Sequence, residues 1–526
     1  MVSDRRVLVT DPIAQDGIDA LARSAAVDVK LRISPDELLR IIGEYDALVV
    51  RSETKVTAPV IEAGKKLIVI GRAGAGVDNI DLEAATRRGV IVVNAPLGNT
   101  TSAAEHTIAL MLSLSRYIPQ ANAILKGGKW ERQRFMGVEV RGKTLGVLGL
   151  GQIGSEVARR ARGLDMHVIA CDPFVSEERA QSLIVEMVSL EDLLRRADYI
   201  AVHTALTPQT RGLIGEKELR LVKPSARIIN VARGGIVDEE ALYQAVEEGR
   251  VAGAAVDVFS KEPAEDSILF KSDRIIVTPH LGASTAEAQE RVALDVAEQI
   301  AAIFRGEPPA YSVNAPLVPP ETMAVIGPYV EVAVKTASLA TQLSLGQLNS
   351  VDVEYLGDIA GHDLTPLKAA VIKGLLEPVS EENVTIVNAN LVAEHRGLRI
   401  SEKKGSYEGI FTNLIQVRAT TKEGTTTVSG TMGHDGAHIV QINEFWVDVS
   451  PGAGYLLICE NIDRPGMIGT VGTILGKHSI NINSMRVAPA GGRAMMVLGL
   501  DSAATDDVVE ELATVTDIFS VRRAKI

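Results

Sequence analysis

Cysteine is nearly absent: Cys171 and Cys459 are the only two in 526 residues. Two thiols far apart in sequence exclude a disulfide framework and any multi-cysteine zinc site. Basic charge is also in deficit. Lys plus Arg number 54 against 67 Asp plus Glu, a formal charge of −13, which argues against non-specific nucleic-acid binding and against docking on anionic lipid. An anionic ligand must therefore meet a local cationic pocket. No window approaches the ~18 consecutive apolar residues of a membrane span, and no apolar stretch of signal-peptide length precedes Asp11. The expectation is a cytoplasmic protein with no membrane or nucleic-acid partner. What is present is globular material, 46% hydrophobic and 23% charged, and a length that suggests three or four domains.

From Val7 to about Val313, short β-branched runs alternate with amphipathic helical stretches. Ala47–Val50, Leu67–Gly71, Val90–Val93, Thr144–Gly149, His167–Cys171, Tyr199–Val202, Arg227–Val231, Ala254–Val258 and Ile275–Thr278 read as buried strands of parallel sheets. They are too many for one doubly wound sheet, so two α/β domains are expected. Prolines cluster between Pro308 and Pro328 and mark a boundary. Beyond it, Val330–Leu345 and Pro366–Leu376 read as helices, and Val384–Val387, Asn413–Thr421, Thr425–Thr431 and His438–Ile442 as strands. A Gly-rich hinge, Pro451–Gly454, opens a last unit. Its pattern is strand Tyr455–Glu460, helix Ile468–Gly476, strands Ser479–Ala488 and Arg493–Leu500, helix Asp507–Ala513, strand Ile518–Arg522, the ferredoxin-like order.

The sharpest local signal is Gly149-Leu-Gly151-Gln-Ile-Gly154, which follows a buried strand and opens an apolar-faced helix. A second strand then ends in Asp172, near the ~20-residue spacing of a dinucleotide-binding unit. Gly149 suits a tight turn, Gly151 lets backbone approach a pyrophosphate, and Gly154 allows close helix–strand packing. The helix N-terminus offers free N–H groups to phosphate. Asp172 would accept hydrogen bonds from the adenosine ribose and repel a 2′-phosphate, favouring NAD over NADP.

Further along, Arg233, Glu262 and His280 each stand just past the end of a predicted strand. Chemistry collects at the carboxyl ends of strands in open α/β sheets. Taken singly each is an ordinary loop residue; together, downstream of a cofactor motif, they supply a cation, a carboxylate and an acid/base. That set suits dehydrogenation of a hydroxy acid.

These motifs, with Gly71-Arg72-Ala-Gly-Ala-Gly-Val-Asp78-Asn79, Asn99-Thr-Thr-Ser-Ala-Ala-Glu-His106 and Lys129-Trp-Glu-Arg132, resemble the D-isomer-specific 2-hydroxyacid dehydrogenase family over essentially the whole chain. The resemblance implies an α/β fold: a Rossmann-type NAD domain (99–283) inserted in a discontinuous flavodoxin-like substrate domain (1–98 and 284–315). An α+β intervening domain (317–449) and a ferredoxin-like ACT domain (453–526) follow. It implies that His280 is the acid/base, that Glu262 hydrogen-bonds the imidazole and favours its protonated form, and that Arg233 holds the substrate carboxylate. Further NAD contacts are implied for Gln152, Ile153, Thr204, Val231, Ala232, Arg233, Asp257, His280 and Gly282. Closure of the two α/β domains about their crossings would exclude water. The implied reaction is NAD-dependent oxidation of 3-phospho-D-glycerate to 3-phosphohydroxypyruvate, the entry to L-serine biosynthesis. Arg51, Arg72 and Arg132 are candidates for the substrate phosphate, since guanidinium recognises phosphate in a bidentate manner.

The turn Asp463-Arg-Pro-Gly resembles that of ACT regulatory domains, which implies pairing across subunits in a homo-oligomer, a tetramer. It also implies L-serine held by Asp463 and Asn481; the plainer alternative is that Asp463 caps its helix. Asn461 stands where some serine-binding relatives carry an aromatic residue. His106 is read as structural. His434 and His438, four apart but in a Gly-rich turn, do not make a metal site, and no metal is expected. Competing functions are a reductase of glyoxylate, hydroxypyruvate or another D-2-hydroxy acid, a nucleotide-sensing interaction protein on the same fold, and C-terminal assembly modules without a ligand.

Overall fold

The computed structural model describes residues 4–316, 318–380, 383–450 and 454–526. Its first sheet is parallel: β1 (Arg6–Val9), β2 (Ala26–Val29), β3 (Ala47–Val50), β4 (Val69–Arg72) and β5 (Ile91–Asn94), in the order β2-β1-β3-β4-β5. Strands β1, β3 and β4 are apolar and buried almost throughout, whereas the edge strand β2 carries Asp28 and is partly exposed. That is the pattern of a parallel sheet covered on both faces. The second sheet holds β6 (Thr144–Leu148), β7 (His167–Cys171), β8 (Glu186–Met187), β9 (Tyr199–Val202), β10 (Arg227–Asn230), β11 (Gly253–Val256) and β12 (Ile275–Val277). Its order is β12-β11-β10-β9-β6-β7-β8, also parallel throughout. The strand order reverses between β6 and β9, which opens a crevice at their carboxyl ends.

Two long helices carry the chain between these sheets. Helix Thr100–Arg116 buries Ala104, Leu110, Met111 and Leu114 in the core of the seven-stranded sheet. Helix Ala286–Phe304, capped by the Thr285 hydroxyl, returns to bury Val292, Val296, Ala297 and Ile300 against the five-stranded sheet. It fits because Gly17 and Gly71 face it: a Cβ on Gly17 would stand 2.6 Å from Ala293 Cβ. The chain then seals against β5, where Val313 N–H donates to Val92 O and Ser312 bridges Val93.

The third sheet is mixed: β13 (Ser350–Gly357), β14 (Arg399–Gly405), β15 (Asn413–Thr420), β16 (Thr425–Gly433), β17 (Gly436–Ile442) and β18 (Phe445–Val449), ordered β14-β13-β15-β16-β17-β18. Helices Tyr329–Leu343 and Thr365–Leu376 contribute to its core. The run Val384–Val387 is not a strand. Thr385 and Asn388 hydrogen-bond each other at 2.7 Å (Thr385 N–H to Asn388 Oδ1) and shape the entry to helix Ala389–His395, while Val384 and Val387 are buried beside it. Local side-chain bonding of this kind competes with a ladder.

The last unit has β19 (Tyr455–Ile462), β20 (Ile482–Ala490), β21 (Arg493–Leu500) and β22 (Ile518–Lys525), in the antiparallel order β20-β21-β19-β22. Helices Met467–Lys477 and Asp506–Ala513 cover one face. The other face, with Leu456, Ile458, Met495 and Val497, joins the core of the third sheet. The two C-terminal units thus share one hydrophobic core, and Gln342 exchanges two 2.8 Å hydrogen bonds with the Lys525 backbone. The hinge residues 451–453 lie outside the described residues.

Candidate active site

The carboxyl ends of the two parallel sheets face one another across a cleft of about 980 Å3, bordered by Arg72, Asp78, Arg233, Glu262 and His280. The cofactor side is built by the glycine loop after β6. Gly149 adopts φ +91°, and a Cβ there would stand 2.8 Å from the His203 carbonyl. A Cβ on Gly154 would lie 2.0 Å from Gly149 O, so only glycine permits this helix-to-loop approach. Gly151 is the N-cap of helix Gln152–Arg162, and the space around its Cα is open. Asp172, at the end of β7, accepts from Leu150 N–H at 2.8 Å and Phe174 N–H at 2.9 Å.

Beside this loop, at the end of β9, His203 Nε2 and Thr204 Oγ1 are buried without a partner among the described residues. Burial pushes the His203 imidazole down to about 4, so it is neutral at physiological pH. Orphaned polar atoms are uncommon in native interiors and ask for a partner. Next to an open helix N-terminus and a glycine cradle, they fit a dinucleotide.

The reacting side starts from Asp257, which is wholly buried just after β11. Its carboxylate accepts from Leu281 N–H at 2.8 Å, Gly282 N–H at 2.9 Å and Thr278 Oγ1 at 2.5 Å, and His106 Nε2 stands 3.2 Å away. Burial raises its pKa, but the His106, Thr278 and Leu281 bonds more than offset this and hold it below the usual carboxylate range. Both oxygens face protein, so this side chain moulds the segment that carries His280. The Asp257 carbonyl also accepts from His280 N–H at 2.8 Å. His280 itself takes φ +55°, a left-handed conformation costing about 1 kcal/mol. Such strain gathers where a side chain must be aimed.

His280 Nδ1 lies 2.8 Å from Glu262 Oε2, and Glu262 Oε1 accepts from Phe259 N–H at 3.0 Å. Burial raises the Glu262 pKa, yet the bonds from His280 and Phe259 outweigh it and keep the group a carboxylate. The second ring nitrogen of His280, Nε2, is left for a reactant. Arg233, past β10, reaches across the cleft: its Nε donates to Asp78 Oδ2 at 3.0 Å, and Nη1 to Ala232 O at 2.7 Å. Val231 is buried beneath Gly282, whose added Cβ would stand 2.9 Å from Val231 Cγ1.

Arg72, at the end of β4, is the most desolvated cation of the cleft. Its Nε is buried without a partner among the described residues. Burial pushes its pKa down to about 10, and repulsion from Arg233 and Arg51 adds to this against the weaker pull of Asp78 and Asp11. Arg51 follows β3, where its N–H is held by Asp11 at 2.6 Å. Arg233 and Arg51 thus stand close enough to repel Arg72, while Glu53 and Asp78 also border the cleft. Arg132 does not join these arginines. It is exposed on a short 3-10 turn, Arg132–Phe135, in a segment that also exposes Trp130 and Met136. Its position follows from that segment wrapping the NAD-side sheet, where Arg134 meets Asp273 at 3.7 Å.

Two contacts of the cleft escaped sequence reasoning. Asp78 sits in the glycine-rich segment that carries Arg72, and its charge there was the available signal. Asp11 anchors the loop of Arg51 and belongs to no pattern that marks such a role, whereas His106, read as structural, bonds Asp257.

In the C-terminal sheet, Asp463 and Asn481 are both exposed, but one chain does not bring them together. Asp463 follows the end of β19, where Ile462 pairs with Arg493; Asn481 precedes β20, whose Ile482 pairs with Leu500 opposite Tyr455. β19 has 8 residues, so they stand about 25 Å apart along the sheet at the usual strand rise. Nor does Asp463 cap the following helix, which starts at Gly466 with no side-chain cap. Asn461 is buried, with Oδ1 unpartnered among the described residues. His438 bonds Asp435 at 2.6 Å and Asp448 at 3.0 Å. Among the described residues no group of three His, Cys, Asp or Glu could hold a metal ion, and no helix is long and apolar enough to cross a membrane.

Fold and site together define a nicotinamide-dependent dehydrogenase of 2-hydroxy acids. Residues 108–282 match the model of the D-isomer specific 2-hydroxyacid dehydrogenase NAD-binding domain, 325–443 the D-3-phosphoglycerate dehydrogenase intervening domain, and 455–517 the ACT domain. The chain is 44% identical over 525 residues to D-3-phosphoglycerate dehydrogenase of Synechocystis sp., covering 99% of this chain and 95% of that one. It is 44% identical over 523 residues to the Bacillus subtilis enzyme of the same name, covering 98% and 99%. A solved structure, the TT0316 protein from Thermus thermophilus, superposes with a TM-score of 0.55 at 34% identity over 59% of this chain and 99% of that one. The chain belongs to the D-3-phosphoglycerate dehydrogenase family.

If Glu262 serves to orient His280, Glu262→Gln lowers kcat about 100-fold, the scale of a misplaced acid/base. NAD affinity, measured by quenching of protein fluorescence, stays unchanged. An equal loss in both would contradict this role.

Proposed function

We propose that this protein is an NAD-dependent dehydrogenase that oxidises 3-phospho-D-glycerate to 3-phosphohydroxypyruvate at the entry to L-serine biosynthesis. The observation that carries the reading is the arginine cluster, Arg72 with Arg233 and Arg51, opposite the His280–Glu262 pair. The substrate offers two anionic ends, a carboxylate beside the reacting carbon and a phosphate beyond it. Arg233 takes the carboxylate in bidentate fashion, which requires it to leave Asp78. Arg72 and Arg51 take the phosphate, relieving their mutual repulsion. His280 Nε2 accepts the proton of the C2 hydroxyl, and Glu262 stabilises the imidazolium that results. Bound NAD would supply the acceptor for the C2 hydride. Gly149, Gly151, Gln152, Ile153 and Gly154 would hold its pyrophosphate, Asp172 its adenosine ribose, and Thr204, Val231, Ala232 and Gly282 the nicotinamide side. Asp257 acts there through the loop it moulds. Closure of the two sheets about helices Thr100–Arg116 and Ala286–Phe304 excludes water from the hydride path.

The protein acts as a homo-oligomer, a tetramer in this reading, in the cytoplasm, where two free thiols are at home. Exposed Trp130 and Met136 suit a subunit contact. The separation of Asp463 from Asn481 suits an L-serine site assembled from two chains, the Asp463 carboxylate meeting the ammonium and the Asn481 amide the carboxylate.

Replacing Arg72 tests the phosphate assignment. Arg72→Met raises KM for the phosphorylated substrate about 100-fold, the cost of a lost charged hydrogen-bond pair. It leaves Tm of the ligand-free protein equal or higher, because an unpaired buried charge is removed. A lower Tm with unchanged KM would make Arg72 merely structural. Titration with L-serine should depress turnover, and Asp463→Ala should abolish that response without altering turnover in its absence. Activity indifferent to L-serine would leave the ACT unit an assembly module.

A further inference from the structure

The third sheet carries a second large cavity, about 790 Å3, between its edge and the helices Thr365–Leu376 and Ala389–His395. Its wall is unusual for a domain core. β14 is an edge strand that turns Glu402 and Lys404 toward the helix-covered face, because they pair with Val353 and Tyr355 of β13. Lys368, on the first helix, meets Glu402 at 2.7 Å, and Lys404 donates to the His362 carbonyl at 2.7 Å. Asn390 and Glu394 of the second helix face the same space. Leu364, Ile372, Leu398 and Ile400 form the apolar remainder.

The decisive atom is the phenol oxygen of Tyr355. This residue is 0% exposed, lines the cavity, and its hydroxyl has no hydrogen-bond partner among the described residues. Burial, and the nearby Glu402 charge, push the phenol well above its ordinary range, so it can only donate or accept as a neutral hydroxyl. Inward charges on an edge strand can serve to block edge pairing. That purpose leaves unexplained why a buried phenol with nothing to bond opens into a cavity that also holds an ion pair.

We propose that this cavity is an effector site for an α-amino acid with a branched aliphatic side chain. The Lys368–Glu402 pair sets a positive and a negative charge side by side, as an amino acid sets its carboxylate and ammonium. The ligand carboxylate meets Lys368 and the Tyr355 hydroxyl, its ammonium meets Glu402 and Glu394, and its side chain lies on Leu364, Ile372, Leu398 and Ile400. The site has a route to the substrate-binding sheet. Helix Ala389–His395 follows Asn388, whose Nδ2 donates to Arg87 O at 3.3 Å, while Thr385 Oγ1 donates to Gly89 O at 3.2 Å. Arg87 ends the helix Leu82–Arg87 that feeds β5. Ordering of Asn390 and Glu394 by a ligand therefore bears on the seam between the intervening unit and the substrate-binding sheet.

Isothermal titration of the full-length protein tests this with L-leucine, 4-methylpentanoate and 3-methylbutylamine, which share the side chain but carry both charges, the anion or the cation. L-Leucine should bind, and each half-molecule about 10-fold or more weakly, the cost of a lost charged hydrogen bond. Tyr355→Phe and Lys368→Met should each weaken L-leucine about 10-fold while leaving turnover without it unchanged. Tyr355→Phe keeps the ring and the packing, so it remains informative if Lys368→Met fails to fold. No binding of L-leucine to active enzyme, or binding that survives both substitutions and is lost in Asp463→Ala, would overturn the proposal.

Discussion

The buried carboxylate of Asp257 is the constraint on which the reacting geometry rests. A carboxylate taken out of water is unfavourable unless its lone pairs are satisfied. Here Thr278, Leu281, Gly282 and His106 satisfy them. Those bonds draw the chain after β12 over the end of β11, and the tight bend places His280 in a left-handed backbone conformation beside Glu262. The imidazole is thus aimed by a buried charge that never needs to touch a substrate.

The opposite wall of the cleft works through an excess. Arg72 and Arg233 border the cleft with Asp78 and Glu53, and Arg51 stands near enough to repel Arg72. In a chain with a net charge of −13, this is a local field set against the global one, and a focused field of this sort raises the local concentration of an anionic substrate. Asp78 pairs with Arg233 across the cleft at 3.0 Å. The C-terminal half is built on the contrary principle, a shared apolar core joining the mixed sheet to the ferredoxin-like sheet. Such a core transmits displacement rather than absorbing it, which suits units that report on the catalytic half.

Much of this was legible in the sequence because its causes are local. Parallel strands such as Ala47–Val50 and Tyr199–Val202 are short, apolar and buried on both faces, and their observed limits match the sequence pattern to the residue. The glycines of the loop after β6 carry their own steric reason. What was missed depends on contacts distant in sequence. Val384–Val387 has strand composition, but Thr385 and Asn388 bond each other and the backbone of residues 87 and 89 instead. The shared core of the last two units was hidden because the outward residues of β19 and β21 look like ordinary alternation until the neighbouring sheet covers them.

In the proposed function the cationic side of the cleft holds the substrate phosphate. The most direct measurement is kcat/KM for NADH oxidation with 3-phosphohydroxypyruvate against unphosphorylated hydroxypyruvate. A preference of about 100-fold or more for the phosphorylated ketoacid is predicted, since a site built for a charged group strongly rejects the analogue lacking it. Equal or reversed preference would contradict the phosphate assignment and leave a dehydrogenase of a different 2-hydroxy acid.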